Sequence, residues 1–298
     1  MDKSLIDLYR SKQINYNAIK SSCFFGLKDI DAVDVSIIIP VMDRENFHNP
    51  VVNYLKKAIK KCKEVGTFGE DKTFSITIVE HSETAKHRHL SHLNNINYIW
   101  IKKLINQPFN KCLSMNVGSL YSNEAKYYLF HDIDILMNDN YFIDIFRNLK
   151  RVNDNSALQT FAMRRVVLMT YDQTNSIINE RCTFNDLTHT YSKPGAPGGS
   201  IFIKSEDFKN VGGYDAEFFH GYSPEDAFFW DKLKSTVNIQ GCDNPMIEAY
   251  HMMHPPKHDS NPEANELMNI YKNFKRISHN EKLMYIKEIA SKFKKYRI

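Results

Sequence analysis

The sequence predicts an α/β protein with a mixed, mostly parallel central sheet flanked by helices and a C-terminal helical tail. Three observations lead there. Short, β-branched apolar runs recur through the first half, helix-periodic segments alternate with them, and charged residues follow the runs at what would be the carboxyl ends of strands.

Taken in order, residues 1–34 are mixed and polar, with an aromatic knot at Cys23-Phe24-Phe25, and form an N-terminal extension. Val35-Ser36-Ile37-Ile38-Ile39-Pro40 is short, β-branched and ended by proline, as expected of a strand buried on both faces. Val52, Leu55, Ala58, Ile59 and Cys62 recur at helical spacing and predict a helix over 51–65. Residues 74–80 read as a second buried strand, 96–101 as a weaker third, 111–121 as a helix, and Tyr127-Tyr128-Leu129-Phe130 as a strand running into His131-Asp132-Ile133-Asp134. Strands alternating with helices make a parallel sheet, whose ligands bind beyond the strands' carboxyl ends, where Asp43-Arg44, Glu80-His81 and Asp132 to Asp134 converge.

The second half is less regular. Gly195-Ala196-Pro197-Gly198-Gly199-Ser200 is a loop by composition, followed by a strand at Ile201-Phe202-Ile203 and a helix that Ser205 is suited to cap. Gly221-Tyr222-Ser223-Pro224-Glu225-Asp226 leads into a helix over 224–233 with proline in its first turn. The chain thus divides into an extension (1–34), a main domain (35–262) and a basic helical tail (263–298).

At 298 residues with 42% hydrophobic and 12% aromatic side chains, the chain can fill a sizeable core, and 25% charged residues with scattered glycine and proline exclude collagen-like or linker-dominated chains. No apolar stretch approaches the roughly 20 residues of a membrane-spanning helix, and the N-terminus lacks the pattern of a secretory signal, so a cytoplasmic location is expected. Cys23, Cys62, Cys112, Cys182 and Cys242 are widely spaced with no C-x-x-C pair, which predicts reduced, mostly structural thiols. The net charge of +4 conceals a tail, residues 271–298, with nine Lys or Arg against two Glu, so the preceding body is net acidic. That distribution argues against a nucleic-acid partner. Leu283, Ile286, Ile289, Ala290 and Phe293 recur at near-helical spacing among the tail's lysines. The tail is therefore expected to pack on the main domain, with peripheral contact to an anionic membrane face as the alternative.

Asp132-Ile133-Asp134 is the first chemical candidate, because two carboxylates alternating after a buried strand can hold a divalent cation against a diphosphate. Asp29-Ile30-Asp31 repeats the tripeptide without a preceding strand and shows how readily it arises by chance. His251 and His254, an H-x-x-H pair before Pro255-Pro256, can reach one cation together with Asp134. His87, His89 and His92 lack a carboxylate-bearing strand beside them and read as surface or structural residues. Glu225-Asp226 either points into the cleft or caps its helix.

These features, in this order, resemble the nucleotide-sugar-dependent glycosyltransferases of the GT-A fold, specifically the β-1,4-galactosyltransferase family and bacterial, chondroitin-polymerase-like polysaccharide transferases. The resemblance runs over residues 35–265 and is carried by V-S-I-I-I-P-V-M-D-R (35–44), F-N-K-C-L-S-M-N-V-G (109–118), residues 130–134, residues 198–214 with G-Y-S-P-E-D (221–226), and His251 to His254. It implies an inverting transferase with Asp226 as the general base, where G-Y-S-P-E-D departs from the family's G-W-G-G-E-D. Asp134, His251 and His254 would be metal ligands, His251 replacing a methionine. Pro40, Arg44, Glu80, Asn116, Asp132, Gly198, Gly199, Tyr222 and Glu225 would bind substrate, with Arg44 at the diphosphate and Glu80 at uracil or ribose. The implied cofactor is Mn2+, with Mg2+ as the alternative, and the partners are a UDP-sugar donor and an oligosaccharide or lipid-linked glycan acceptor in surface polysaccharide synthesis. Ala196, where galactose-specific relatives carry a bulky aromatic residue, leaves room for an N-acetyl group and favours UDP-GalNAc over UDP-Gal, with UDP-GlcNAc and UDP-Glc open. The competing readings are a catalytically inactive glycan-binding module of the same fold and a sugar-phosphate nucleotidyltransferase, which would want a glycine-rich loop where Pro40-Val41-Met42-Asp43-Arg44-Glu45 stands. A zinc hydrolase is disfavoured by the absence of H-E-x-x-H.

Overall fold

The computed structural model describes residues 4–28, 32–65, 72–93, 96–137, 141–143, 145, 158–160, 165–182, 187, 192–194, 198–237, 239–241, 248–254 and 261–296. Asp29 to Asp31, Gly195 to Pro197, Cys242 and Pro255-Pro256, all weighed above, lie outside these residues. So does Ala196, on which the donor preference rests.

Six strands make the main sheet: β1 (Phe24–Gly26), β2 (Val33–Val41), β3 (Phe74–Ser82), β4 (Ile96–Lys102), β5 (Ala125–His131) and β10 (Ser200–Lys204), in the order β1-β4-β3-β2-β5-β10. The four inner strands are parallel, and β1 and β10 close the edges antiparallel. The chain leaves β2 for β3 and β4, then returns on the other side of β2 as β5. The strand order therefore reverses between β2 and β5, and a crevice opens at their carboxyl ends, where Pro40 to Arg44 and Asp132 to Asp134 lie.

Both sheet faces are covered. Val35, Ile37 and Ile39 point into a core shared with Val51, Val52, Leu55 and Cys62 of α3 (His48–Glu64). Ile38 points the other way, toward Val117 of α4 (Lys111–Tyr121). Gly118 is the close-approach point of α4, since a β-carbon there would press on Ile38 and Val79. α3 begins at His48, earlier than its apolar periodicity suggests, because Pro50 fits a first turn whose N–H groups have no helical partner.

A second, smaller sheet, in the order β6 (Ile135–Met137), β12 (Glu248–His251), β8 (Arg165–Leu168), β9 (Ser192–Pro194), leans on the first core. β7 (Leu158–Thr160) and β11 (Ile239–Gly241) form a separate parallel pair. Further helices among the described residues of the main domain include α5 (Tyr171–Ile178), α6 (Ser205–Asn210) and α7 (Glu225–Lys234). Two capping expectations are corrected. Ser205 is the first helical residue of α6 and makes no capping bond, because β10 runs on to Lys204. Pro224 is the N-cap of α7 rather than part of its first turn, so Glu225 and Asp226 open the helix.

The terminal segments pack on this body. Tyr9 of α1 (Leu5–Ser11) and Tyr16 of α2 (Tyr16–Ser22) are buried in one core with Phe218, Phe228 and the tail residues Leu267, Ile270, Phe274, Tyr285, Ile289 and Phe293. These tail residues belong to α8 (Ala264–Arg276) and α9 (His279–Phe293), and α9 starts with a capping box between Ser278 and Glu281. Beneath α9, Asp215 accepts from Tyr285 Oη at 2.6 Å and pairs with the fully buried Lys232, which also donates to Gly213 O at 2.6 Å. The apolar face that could have served a membrane is thus used inside the protein. No helix among the described residues is long and apolar enough to cross a membrane.

Lys232 and Asp215 compensate each other's burial, and removing one partner strands the other charge. Lys232→Met is expected to lower unfolding free energy by about 3–5 kcal/mol in urea titrations; a loss below about 1 kcal/mol contradicts this account of the tail's anchorage.

Candidate active site

A cleft of about 750 Å³ opens at the strand-order reversal, lined by Pro40, Met42, Arg44, Lys111, Asp132, Asp134, Tyr222 and His254 among others. Several segments build it. The chain leaves β2 through Asp43, whose left-handed backbone (φ 50°) turns it sharply and delivers Arg44 to the cleft wall. Lys86 braces the turn by an ion pair with Asp43 Oδ1 at 2.7 Å.

The turn after β5 is held from beneath. Asp132 N donates to Gly199 O at 2.8 Å, and Ile135 N donates to Asp132 O at 3.2 Å. Below it, His131 Nε2 lies 2.9 Å from Ile135 O and must donate, so Nδ1 accepts from Ser200 Oγ at 3.0 Å and Tyr141 Oη in turn donates to Ser200 Oγ at 2.6 Å. Burial keeps this imidazole neutral by pushing its pKa down to about 4.

Pairing of β12 with β6 sets His251 opposite Ile135, next to Asp134, and Met252 N donates to Asp134 O at 2.9 Å. Asp134, His251 and His254 come together as a consequence: one ligand atom from each lies within 4.8 Å of the others. His254 Nε2 is 3.2 Å from Asp134 Oδ2 and its Nδ1 is 2.9 Å from Arg44 Nη2. A guanidinium can only donate, so Nδ1 accepts and the imidazole proton faces Asp134 from Nε2. Burial would raise the Asp134 carboxyl, but the His254 hydrogen bond, with further pull from His251, His254 and Arg44, outweighs it and holds it at about 2. Asp134 is therefore a carboxylate at any physiological pH. One carboxylate oxygen and two imidazole nitrogens suit a transition-metal divalent cation.

Lys111 and Asp132 line the cleft as well, and Lys111 gathers a carboxylate cluster around its ammonium. Lys111 Nζ lies 2.9 Å from Asp132 Oδ2, 3.1 Å from Asp226 Oδ2 and 3.9 Å from Glu225 Oε1. Asn110 caps α4 by accepting from Leu113 N at 2.7 Å, and its own N–H donates to His81 Nδ1 at 3.0 Å, so the backbone bearing Lys111 is tied at both ends. Burial works against the Lys111 ammonium, but Asp132, Asp226 and Glu225 overcome it and keep the group charged. Burial and the neighbouring Asp226 push the Glu225 carboxyl up to about 8, so it holds its proton at neutral pH. Burial likewise raises Asp132 to about 6 against the pull of Lys111.

Gly198 packs directly on Asp226, since a β-carbon there would collide with the carboxylate. Gly199 takes a left-handed backbone (φ 89°) under the Asp132 turn. Tyr222 is 86% exposed at the cleft mouth. Its loop is fastened: Gly221 N donates to Phe109 O at 2.6 Å, and Asn261 Nδ2 donates to His220 O at 2.8 Å and Tyr222 O at 3.3 Å.

Two expected substrate contacts are corrected. Glu80 is fully buried and accepts from Ser82 Oγ, Lys86 N, His87 N and Tyr98 Oη, so it anchors the loop after β3 and does not face the cleft. Asn116 is equally buried; its Nδ2 donates to Tyr16 Oη and Tyr214 O and its Oδ1 accepts from Tyr214 N, which makes it a bolt between α4, the N-terminal segment and the 214 turn. His87 is buried against His48, while His89 and His92 are exposed, and none of the three lines the cleft. Lys111 is the residue that motif reading missed. Lys111 stands inside the F-N-K-C-L-S-M-N-V-G motif, and a cation at a helix N-terminus opposes the helix dipole, an oddity that was a second sequence signal.

No known protein-family pattern matches the chain, and no curated protein matches it. Solved structures do. S. aureus TarS is similar with a TM-score of 0.51 at 15% identity, over 86% of this chain and 42% of that one, and TarS 1-349 in complex with UDP-GlcNAc gives 0.50 at 14%, over 86% and 71%. GalNAc-T7 with UDP, GalNAc and Mn2+ gives 0.51 at 11%, over 89% and 55%. The catalytic domain of Drosophila β1,4-galactosyltransferase 7 gives 0.43 at 15%, over 76% and 72%. TarS and GalNAc-T7 are GT-A glycosyltransferases, and the chain has the GT-A fold.

Two measurements test the site. Asp134→Ala or His254→Ala is expected to weaken Mn2+ binding by at least about 100-fold in calorimetry, and unchanged affinity contradicts the ligand set. Glu225 binds its proton more tightly when folded than unfolded, so its contribution to stability declines as pH rises from about 4.5 to about 8. Glu225→Gln removes that decline, and the variant is expected to gain stability relative to the parent at pH 8 compared with pH 5. Parallel pH profiles contradict the raised carboxyl.

Proposed function

We propose that this protein is a metal-dependent, inverting glycosyltransferase that moves a hexose or N-acetylhexosamine from a UDP-sugar, UDP-GalNAc or UDP-Gal, to a hydroxyl of an oligosaccharide or lipid-linked glycan in polysaccharide synthesis. The observation that supports the reading is the Asp134, His251 and His254 ligand set together with a carboxylate cluster containing Asp226, which Lys111 joins to the cleft lining. The neighbouring folds crystallised with UDP-GlcNAc, or with UDP, GalNAc and Mn2+, support the donor class.

Asp134, His251 and His254 fit a divalent ion, with Mn2+ the best match to mixed oxygen and nitrogen donors and Mg2+ the harder alternative. When bound, the ion neutralises charge on the departing diphosphate. Arg44, already held beside His254, adds a second positive charge on that side. Asp226 takes the proton of the acceptor hydroxyl as its oxygen attacks the anomeric carbon from the face opposite the diphosphate. Glu225, protonated at neutral pH, is a hydrogen-bond donor to sugar hydroxyls rather than a second base. Asp132 orients donor hydroxyls, Gly198 and Gly199 leave room for the sugar, and Tyr222 offers an aromatic surface at the acceptor end. Pro40 and Met42 add apolar side chains to the cleft lining. With the apolar face of α9 buried, peripheral membrane contact would rest on its lysines alone.

Asp226→Asn keeps shape and removes the base. Transfer is expected to fall by about 10²–10⁴-fold while UDP and Mn2+ binding persist, whereas near-parental transfer by the folded variant contradicts the reading.

A further inference from the structure

We infer that Lys111 is a positioning residue for transfer: its ammonium pins Oδ2 of Asp226 and so leaves Oδ1 as the oxygen that receives the acceptor proton. The inference rests on the glycosyl-transfer reading above and adds to it which residue holds the base and which of the base's atoms reacts.

The two oxygens of Asp226 are not equivalent. Oδ2 is 3.1 Å from Lys111 Nζ and packs against Gly198, whereas Oδ1 is buried without a hydrogen-bond partner among the described residues. An unpartnered carboxylate oxygen removed from water costs free energy that an incoming hydroxyl recovers by donating to it. Lys111 also bridges the two carboxylate-bearing turns, since the same ammonium lies 2.9 Å from Asp132 Oδ2. Asp132 follows β5 and Asp226 opens α7, so a single charge sets the separation between the donor-side and acceptor-side walls.

The clamp is rigid. Lys111 is the first residue of α4, behind the Asn110 cap, and α4 is buried from Cys112 to Tyr121. Its side chain is only 15% exposed and reaches Asp226 from a fixed base. In the transfer step the acceptor O–H bond breaks and the proton goes to Oδ1. The oxygen's electron pair forms the new bond to the anomeric carbon, and the bond from that carbon to the diphosphate oxygen breaks with its electrons leaving on UDP. Lys111 touches none of these atoms and keeps its proton throughout.

Lys111→Met and Lys111→Arg separate positioning from binding. A base misplaced by about 1 Å costs roughly 100-fold, so kcat of Lys111→Met is expected to fall about 100-fold with donor and acceptor KM within about threefold. Lys111→Arg is expected to recover to within about tenfold of the parent. A kcat within about threefold of the parent, or a loss confined to KM, overturns the inference. Lys111→Gln replaces the methionine variant if that one unfolds. A crystal structure of either variant reads the positioning without any assay: the Asp226 carboxylate is expected to leave its place beside Gly198, and an unmoved carboxylate overturns the inference. If Asp226→Asn transfers like the parent, the transferase reading fails instead, and the crystallographic result still decides what holds Asp226.

Discussion

The cleft depends on how four carboxylates, Asp132, Asp134, Glu225 and Asp226, are held close together away from bulk water. Like charges at such distances destabilise one another unless cations or protons intervene. The protein uses three devices. Arg44 and the two histidines stabilise the charge of Asp134, Lys111 serves Asp132 and Asp226, and Glu225 keeps its proton. The outcome is one strongly ionised carboxylate at Asp134 and one clamped carboxylate at Asp226.

The fold supplies the proximity. Reversal of strand order at β2 and β5 opens the crevice, and β12 threads back beside β6 to carry the histidines to Asp134. α7 begins at Glu225 because Pro224 ends the loop as its N-cap, so the acidic pair sits at the positive end of a helix. The N-terminal segment and tail lie behind this arrangement. Tyr16 bonds Asn116 of α4, and Tyr285 bonds Asp215 just after the 214 turn, so both ends of the chain stabilise the elements that present Lys111 and the acidic pair.

Much of this was legible in the sequence, and the failures have physical causes. The parallel strands were readable because runs such as Val35 to Pro40 are apolar on both faces, and α4 matched its periodicity over Lys111–Tyr121. Asp134, His251 and His254 were grouped by ligand type and by context, although more than a hundred residues separate the aspartate from the histidines. Glu80 and Asn116 were misread for the converse reason: a polar residue near a strand or helix end looks like a ligand-binding group until distant partners such as Tyr98, Tyr16 and Tyr214 are seen to satisfy it. Lys111 escaped notice because its role depends on carboxylates from two other elements. The paired tail helices looked amphipathic in isolation, and the sequence alone could not say that the missing partner was the protein's own core.

The central claim is that Asp134, His251 and His254 hold one ion at the floor of the cleft, and anomalous diffraction at the manganese edge from crystals soaked in Mn2+ and UDP tests it most directly. The account predicts a single strong peak within bonding distance of Asp134 Oδ2 and both imidazoles, with the diphosphate on its open side. A peak elsewhere, or UDP bound with no ion between these three side chains, would contradict it.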